Sequence, residues 1–403
     1  MRRKTLLVIV ITCFLSAKAI IASGAFPASP SLNPQTGNNE SSANSAESPY
    51  APGAFWPVMR GDPGNSGRAR FHKAKSGTGL KPVHFRTGNG VFSTPVIDAH
   101  GRIYVGSADH NFYAFDPYQG KELWRFETKE IIDSAACIGK DGATYFGSGD
   151  AKIHALTPEG KELWQFDVFN NRPRNLYTLS TNYWWEGNVV MGPDGALYAG
   201  NDDFFVYSIT PEGKLRWAFR TDFLIWAAVA FGKDGTVYVS SFDMNIYALD
   251  SAGHLKWKTD LGNALTGSPA IGDDGTIYQG TLGGKLLALD GSRGKIKWSL
   301  QTGGHIYASA AVAGDGAVYI TSTDGYLYAV EPARGSVKWA YYTGDAIRSS
   351  PSLGPDPENK CEYLVYFGGG DGVVYAIDPS GRRRWSDRSA RARLRGGPRS
   401  CRP

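Results

Sequence analysis

Short segments in which apolar and polar residues alternate, separated by glycine-containing turns, recur along most of this 403-residue chain. Val237-Tyr238-Val239-Ser240 is one such segment, and alternation with a period of two is typical of half-buried strands. Asp-Gly pairs follow short apolar segments and supply the positive φ angles of tight hairpins. These pairs stand at Asp141-Gly142, Asp194-Gly195, Asp234-Gly235, Asp274-Gly275 and Asp315-Gly316. The pattern predicts an all-β chain of many short antiparallel strands.

A tryptophan marks the end of each of seven sequence repeats. The seven are Trp124, Trp164, Trp217, Trp257, Trp298, Trp339 and Trp385, at spacings of 40, 53, 40, 41, 41 and 46 residues. Lead-ins such as Tyr247-Ala248-Leu249-Asp250 precede them, and each repeat holds four strand signals. Four strands in about 41 residues is the period of a β-propeller blade. We interpret the seven tryptophans as structural residues that pack against the neighbouring blade.

The repeat count leaves the closure of the ring open. Val83 lies 41 residues before Trp124, so Leu80–Thr87 looks like the fourth strand of a blade. We expect residues 80–385 to form one ring in which Leu80–Thr87 completes the last blade, in competition with Arg382–Trp385. An eight-bladed ring would need three strands after Trp385. We favour seven modules with an imperfect seam over an incomplete eight-bladed ring.

The two ends of the chain differ in composition from its middle. Arg2, Arg3 and Lys4 precede an apolar run, so residues 1–25 predict a signal peptide or an uncleaved signal anchor. Residues 26–54 are rich in Pro, Ser and Asn and predict a disordered linker, and residues 55–385 are the predicted propeller. Residues 386–403 hold six Arg and predict a disordered tail. An exported protein, periplasmic or at the cell surface, follows from this organisation.

Charge and cysteine content exclude several classes of function. The net charge of +5 comes from the two ends, which leaves the middle mildly acidic and argues against nucleic-acid binding. The four cysteines show no C-x-x-C spacing, which argues against a zinc site. Cys137 and Cys361 fall in predicted strands, and we interpret both as small buried apolar residues.

The motif Ala114-x-Asp116-x-x-x-Gly120-Lys121-x-x-Trp124 resembles the tryptophan-docking repeat of the pyrroloquinoline-quinone-like propeller family. The segment from Trp56 to Arg68 is similar to the entry segment of its secreted members. The resemblance implies either a quinone- and calcium-dependent dehydrogenase or a non-catalytic exported propeller. The second branch includes the propeller lipoprotein of the outer-membrane β-barrel assembly machine. This chain lacks an adjacent Cys pair and the long insertions that build the cofactor chamber of the dehydrogenases, so it resembles the non-catalytic branch more closely.

Loops that join a fourth strand to the next first strand emerge on one face of a propeller, around its axis. Several carry aromatic or Arg residues, types that are enriched at binding hot spots. The candidate binding face comprises Phe92, Phe169, Tyr177, Tyr183, Trp184, Trp185, Trp226, Tyr307 and Arg348. The 53-residue spacing reflects a long insertion of about 13 residues between Phe166 and Val189. The alternative is that the aromatic residues of this long insertion pack onto the blades below. The acidic residues Asp133, Glu186, Asp222 and Asp345 also lie near first strands, and we interpret them as turn or rim residues.

These observations favour a non-enzymatic binding scaffold in the cell envelope, with a protein or other extracytoplasmic ligand as partner. The sequence predicts no catalytic residue, no cofactor, no metal ligand and no nucleic-acid partner, and a membrane contact only through an uncleaved N-terminal anchor. An outer-membrane protein assembly factor and a quinone-dependent dehydrogenase are the alternatives.

Overall fold

Seven sheets, each of four antiparallel strands, are arranged in a ring with almost no helix. The computed structural model describes residues 20–21, 48–69, 83–171, 183–356 and 363–388. Every sheet, or blade, consists of four strands that follow one another along the chain. The all-β propeller with seven modules predicted from the Trp repeat is confirmed.

The first four blades span residues 96–260. In chain order within each blade, the strands run from the axis outwards. Blade 1 comprises β3 (Val96–Ile97), β4 (Ile103–Gly106), β5 (Asn111–Asp116) and β6 (Lys121–Glu127). Blade 2 comprises β7 (Cys137–Ile138), β8 (Thr144–Gly147), β9 (Lys152–Leu156) and β10 (Glu162–Asp167), followed by the short helix α1 (Val168–Asn171). Blade 3 comprises β11 (Val190–Met191), β12 (Leu197–Gly200), β13 (Phe205–Ile209) and β14 (Leu215–Arg220). Blade 4 comprises β15 (Ala230–Phe231), β16 (Val237–Ser240), β17 (Asn245–Leu249) and β18 (Leu255–Asp260).

The remaining three blades span residues 270–387. Blade 5 comprises β19 (Ala270–Ile271), β20 (Thr276–Gly280), β21 (Lys285–Asp290) and β22 (Ile296–Gln301). Blade 6 comprises β23 (Ala311–Val312), β24 (Val318–Thr321), β25 (Tyr326–Val330) and β26 (Val337–Tyr342). Blade 7 comprises β27 (Ser352–Pro355), β28 (Tyr363–Gly368), β29 (Val374–Ile377) and β30 (Arg383–Asp387). A separate two-stranded sheet pairs β1 (Ile20–Ile21) with β2 (Val83–His84).

Hydrogen-bonded turns fix the hairpins within the blades. Gly235 of an Asp-Gly pair has φ +79°, and the Asp234 carboxylate accepts from the Thr236 amide. The turn between the second and third strands is held differently, because a Tyr or His four residues later bonds to the turn aspartate. Tyr247 Oη lies 2.6 Å from Asp243 Oδ2 in blade 4. An equivalent pair recurs in five of the other blades as Tyr113–Asp109, His154–Asp150, Tyr207–Asp203, Tyr328–Asp324 and Tyr375–Asp371.

The repeated tryptophans join each blade to the next. Opposite each Trp on the third strand stands a small residue, such as Ala248 opposite Trp257, which leaves room for the indole. In blades 1 to 6 the indole N–H donates to a carbonyl in the outer turn of the following blade. The acceptors are Pro158, Pro211, Ser251, Gly291, Pro332 and Pro379. The indoles also cover apolar surface at the blade interfaces, and this burial favours ring formation.

Residues 50–69, named here the axial segment, cross one end of the ring at its axis. Backbone hydrogen bonds join the segment to the ends of the first strands of six blades, for example Ile271 N to the Gly64 carbonyl and Val312 N to the Ser66 carbonyl. Tyr50 adds a contact to the remaining blade 3, through a 2.9 Å bond to the Met191 carbonyl. One end of the ring axis is therefore covered by the chain's own N-terminal part.

Some boundaries differ from those predicted. Leu80–Thr87 does not complete the last blade, because β30 is the fourth strand of blade 7 and β2 pairs with β1 instead. Packing against the ring begins before residue 55, since Tyr50 and Ala54 are buried by contacts that the linker composition does not reveal. Most of the predicted signal, linker and tail lies outside the described residues, as does Cys361, while Cys137 is buried in β7. Among the described residues, none of the helices has the length and apolar character needed to cross a membrane.

Candidate binding site at the mouth of the ring

The end of the ring opposite the axial segment is bordered by one residue from each blade. Each of these seven residues directly follows a buried apolar residue that lies five positions before the first strand of its blade, as Trp226 follows Ile225 and Tyr307 follows Ile306. We name this set the mouth ring: Phe92, Asp133, Glu186, Trp226, Thr266, Tyr307 and Arg348. Six of the side chains are half-buried and Arg348 is exposed. Phe92, Trp226, Tyr307 and Arg348 thus occupy equivalent positions in blades 1, 4, 6 and 7.

Aromatic side chains of the mouth ring are held by specific contacts. The indole N–H of Trp226 donates to Asp202 Oδ1 at 2.9 Å, and its ring meets Phe242 edge-on with centroids 4.4 Å apart. The Arg348 guanidinium lies 5.7 Å from the centroid of Tyr307, within cation–π range. Fixed aromatic surfaces of this kind bind ligands with little loss of side-chain entropy.

Three carboxyl groups lie on the side of the mouth formed by blades 2 and 3. Burial raises the pKa of Glu186 to about 8, and the charges of Asp202 and Asp133 add to the shift. Burial likewise raises the pKa of Asp133 to about 6 and that of Asp202 to about 6, although the Trp226 hydrogen bond partly offsets the shift of Asp202. A cationic group placed here would stabilise the ionised carboxylates. Among the described residues, no group of three or more His, Cys, Asp or Glu side chains is placed to hold a metal ion.

The aromatic residues of the long insertion do not share one role. Trp185 is 1% exposed and contacts Phe166 and Tyr207, so it is a core residue at the position that Ile225 fills in the next blade. The prediction that Trp185 belongs to the exposed face is wrong. Phe169 is 54% exposed and meets Tyr183 with ring centroids 4.5 Å apart, and Trp184 is half-buried. Tyr177 lies outside the described residues.

Sequence reasoning left Asp133, Glu186 and Thr266 out of the candidate binding face, although it interpreted Asp133 and Glu186 as turn or rim residues. Asp133 and Thr266 each lie nine residues after the Trp of the preceding blade, as do Trp226 and Tyr307. Glu186 lies at the same position once the insertion of about 13 residues is removed. Alignment of the repeats on their tryptophans would have identified all three. Asp222 and Asp345 are exposed turn residues, as predicted.

At the covered end of the axis, Arg60 joins two blades. Its Nη2 donates to the Ala310 carbonyl of blade 6 at 2.9 Å and to the Pro351 carbonyl of blade 7 at 2.8 Å. The side chain is 3% exposed, and burial lowers the pKa of Arg60 to about 10 although Asp62 acts in the opposite direction. Arg60 of the Arg60-Gly61-Asp62 sequence is therefore a buried structural residue.

The repeat and the seven-bladed ring agree with a comparison against protein families. The model of the family described as outer membrane protein assembly factor BamB matches residues 32–178, 149–271 and 243–397. The chain belongs to this family. These matches run through all seven blades and the axial segment, so family membership rests on the whole ring.

Relatives of this BamB-family chain include an alcohol dehydrogenase and an outer-membrane protein assembly factor. The quinohemoprotein alcohol dehydrogenase of Comamonas testosteroni is 26% identical over 141 residues, which are 32% of this chain and 20% of that protein. The assembly factor BamB of Nitrosomonas eutropha is 34% identical over 74 residues, 18% of each chain. The chain therefore matches about a fifth of the length of these curated relatives.

Two solved structures share the fold of this BamB-family chain. BamB from Moraxella catarrhalis superposes with a TM-score of 0.58 and 14% identity, covering 76% of this chain and 88% of that one. A europium-containing methanol dehydrogenase superposes with a TM-score of 0.55 and 15% identity, covering 67% and 72%. At such identities the likeness concerns the fold alone.

Proposed function

We propose that this BamB-family propeller is a non-catalytic, exported scaffold that binds a protein segment at the mouth ring during outer-membrane protein assembly. The mouth ring is the observation that carries the proposal. Positions that build the blades repeat the same residue types, such as Trp on the fourth strand and Ala opposite it. The mouth-ring position differs in every blade: Phe, Asp, Glu, Trp, Thr, Tyr and Arg. Variation at one position of an otherwise regular repeat is typical of a binding face.

The chemistry of the mouth ring defines the partner segment. Trp226 and Tyr307 offer aromatic surfaces. The carboxyl groups of Asp133 and Glu186 lie on one side of the mouth, where a basic group of the partner would pair with them. Arg348 lies on another blade and suits an acidic or aromatic group. A polypeptide segment with apolar and basic side chains fits this arrangement. The axial segment covers the other end of the ring axis. The partner's polypeptide segment would therefore bind at the mouth and would not thread through the ring.

Site-specific photo-crosslinking in intact cells tests the proposal. A photoreactive residue at Tyr307 or Trp226 should give a defined adduct with an envelope protein, and mass spectrometry would identify that protein. Tyr118 is the matched control, because this 41% exposed aromatic lies in an outer turn on the opposite face. Adducts of equal yield from Tyr118, or none from the mouth ring, would contradict the binding site. An adduct with a protein unrelated to the outer membrane would contradict the assembly role alone.

A quinone-dependent dehydrogenase is the second candidate, because the alcohol dehydrogenase relative aligns over 141 residues. Purified protein incubated with pyrroloquinoline quinone and calcium, then assayed with alcohols or sugars and a dye acceptor, distinguishes the two candidates. We expect no turnover above a buffer control, and sustained turnover would favour the enzyme.

A further inference from the structure

The turn between the second and third strands of blade 2 is held by a histidine where five other blades use a tyrosine. In blade 1, for example, the Tyr113 hydroxyl donates to Asp109 at 2.7 Å. Burial and this hydrogen bond raise the pKa of Tyr113 to about 12, so the tyrosine keeps its proton at neutral pH. In blade 2, Nε2 of His154 lies 3.2 Å from Asp150 Oδ2. Since histidine gains or loses a proton between about pH 5 and pH 8, this turn has a donor that responds to pH.

A second carboxylate faces the other nitrogen of the same imidazole. Nδ1 of His154 lies 3.0 Å from Glu162 Oε1 on the neighbouring strand β10. A carboxylate accepts hydrogen bonds and donates none, so each ring nitrogen must carry a proton to bond its carboxylate. The charged imidazolium has both protons, whereas the neutral ring has one. The arrangement therefore suits a charged ring that bridges Asp150 and Glu162.

The imidazole is enclosed by aromatic rings and stabilises the charge of its buried partner. His154 is 4% exposed, and it stacks on Phe146 with centroids 5.4 Å apart. Phe126 of blade 1 lies 5.5 Å from the imidazole in a tilted arrangement. Burial alone would raise the pKa of Asp150, but the hydrogen bond and the charge of His154 outweigh burial and hold that pKa below its usual value. Because the aromatic rings exclude water, a lost bond to Asp150 would not be replaced easily.

Other charged groups on the strands around the imidazole have partners of their own. Lys152, two residues before His154, bonds to Gln165 on β10. Asp167, at the end of β10, accepts a 2.8 Å bond from the Phe169 amide. On β6, the charged neighbours of Phe126 point to the opposite side of the sheet, because successive residues of a strand alternate in direction. Within the part of the chain that the structure describes, the two bridged carboxylates are therefore the charged groups that bond to the ring.

The turn that the histidine holds also anchors the loop between β6 and β7, which leads to Asp133 of the mouth ring. Asp150 accepts the backbone amide of Lys129 in this loop. Gly149, the residue before Asp150, donates its amide to the Ile131 carbonyl at 2.9 Å. The position of the loop therefore depends on the position of the turn, and a change at the turn reaches the mouth.

We propose that His154 is a pH-sensitive clamp, which as the imidazolium joins Asp150 to Glu162 and fixes the loop that carries Asp133, and which as the neutral ring releases that loop. The neutral ring donates from one nitrogen and turns the lone pair of the other towards a carboxylate, so attraction is replaced by repulsion. The folded chain gathers two carboxylates around this proton and the unfolded chain does not. The clamp is therefore complete at low pH and is lost as the pH rises. This proposal stands independently of what binds at the mouth ring.

Hydrogen exchange of the full chain, measured by mass spectrometry at about pH 6 and about pH 9, tests the clamp on either side of the histidine titration. After correction for the intrinsic effect of pH, residues 128–133 should exchange about tenfold faster at the higher pH, since a charge-assisted hydrogen bond is lost. Blade 4 is the control within the same molecule. There Tyr247 holds Asp243 at 2.6 Å, and Asp243 accepts the Asp222 amide at 2.8 Å. Residues 221–226 should therefore change little between the two pH values.

Three variants separate the clamp from other titrating groups near the mouth. His154→Tyr installs the donor of the other blades and should keep residues 128–133 protected at both pH values. Glu162→Gln should reduce the response, because an amide can donate to the neutral ring as well as accept from the charged one. Glu159→Gln, at an exposed turn of the same blade, should keep the response of the parent. Equal acceleration in blades 2 and 4, or a response that His154→Tyr leaves unchanged, overturns the proposal.

Nuclear magnetic resonance of the chain labelled with ¹⁵N-histidine decides the matter if His154→Tyr does not fold. The imidazole signal that Glu162→Gln shifts identifies His154, since the two side chains are in contact. Both ring nitrogens should carry a proton at about pH 6 and one of them at about pH 9. A ring that is singly protonated at the lower pH, or doubly protonated at the higher, overturns the clamp.

Discussion

Trp298 of blade 5 and Pro332 of blade 6 are joined by a 2.7 Å hydrogen bond from the indole N–H to the carbonyl oxygen. The turn that contains Pro332 ends at Gly335, and a Cβ on that glycine would lie within 3 Å of three carbon atoms of the indole. One contact thus combines a hydrogen bond, apolar burial and a requirement for glycine. Its repetition around the ring makes the stability of each blade depend on the next.

Replacement of Trp298 and of Trp385 by Ala should lower the free energy of unfolding by different amounts. Trp298→Ala should lower the free energy of unfolding by about 3 kcal/mol, because it removes the indole from a packed interface. Trp385→Ala should cost about 1 kcal/mol, since the apolar partners of Trp385 among the described residues, Leu364, Tyr366 and Ala376, all belong to blade 7. Urea denaturation followed by far-UV circular dichroism measures both values. Equal losses would show that Trp385 is docked like the others.

Two glycines with nearly the same backbone conformation should respond differently to Ala. Gly160 has φ +82°, and a Cβ on it would lie 2.5 Å from Cδ2 of Trp124, whereas Gly235 has φ +79° and no atom within 4 Å of the same position. Gly235→Ala bears only the cost of the left-handed conformation, about 1 kcal/mol. Gly160→Ala should cost about 3 kcal/mol, because the indole must also move. Similar melting temperatures for the two variants would contradict the docking argument.

Arg60 should be important for holding the axial segment. Arg60→Met leaves the carbonyls of Ala310 and Pro351 without this donor, and the expected loss is about 3 kcal/mol. Arg60→Lys should lose less, since an ammonium can still reach one carbonyl. Limited proteolysis provides a second readout, because the variant should be cut within residues 50–69 before the blades are cut. Arg293→Met, at an exposed outer turn, is the control and should behave as the parent protein does.

Glu186 should make the protein less stable as the pH rises. Its pKa is raised to about 8 in the folded state, so from about pH 4 to pH 8 the folded chain retains a proton that the unfolded chain has lost. The folded state is therefore favoured at low pH and loses this advantage as the pH rises through 8. Glu186→Gln should match the parent at pH 4 and exceed it at pH 9 by about 2 kcal/mol, after allowance for solvent screening at the mouth.

Chemical denaturation at both pH values measures the effect, with the exposed Glu212→Gln as the control. A Glu186→Gln variant that follows the parent at every pH would show that the carboxyl is well solvated.

The sequence predicted the blades well because their contacts are local and repeated. Trp257 and Ala248 pair within one hairpin, and Asp243 accepts a hydrogen bond from a Tyr four residues away. The residues that form these contacts are therefore close together in the sequence of each repeat and can be recognised there. The axial segment was missed because Arg60 binds residues 250 and 291 positions away, and nothing near Arg60 indicates those partners.

For residues 83–88, the sequence predicted the type of strand correctly but not the strand with which it pairs. The spacing from Val83 to Trp124 identified a fourth-strand segment, and the contact of Gly88 with Asp109 agrees with that register. The pairing partner was wrong, because strand spacing does not reveal which sheet a strand joins. At the mouth, Trp185 was misplaced because an insertion shifts its register, and the structure puts it in the core.

The axial segment also has a consequence for the order in which the chain can fold. Its residues are synthesised before any blade, yet Arg60 bonds to Pro351, 291 residues later. Closing a loop of that length costs entropy that is recovered only after blades 6 and 7 exist. Such distant contacts slow folding. The earliest part of the propeller to be made is therefore among the last to reach its final position, and an unfinished ring has an axis accessible from both ends.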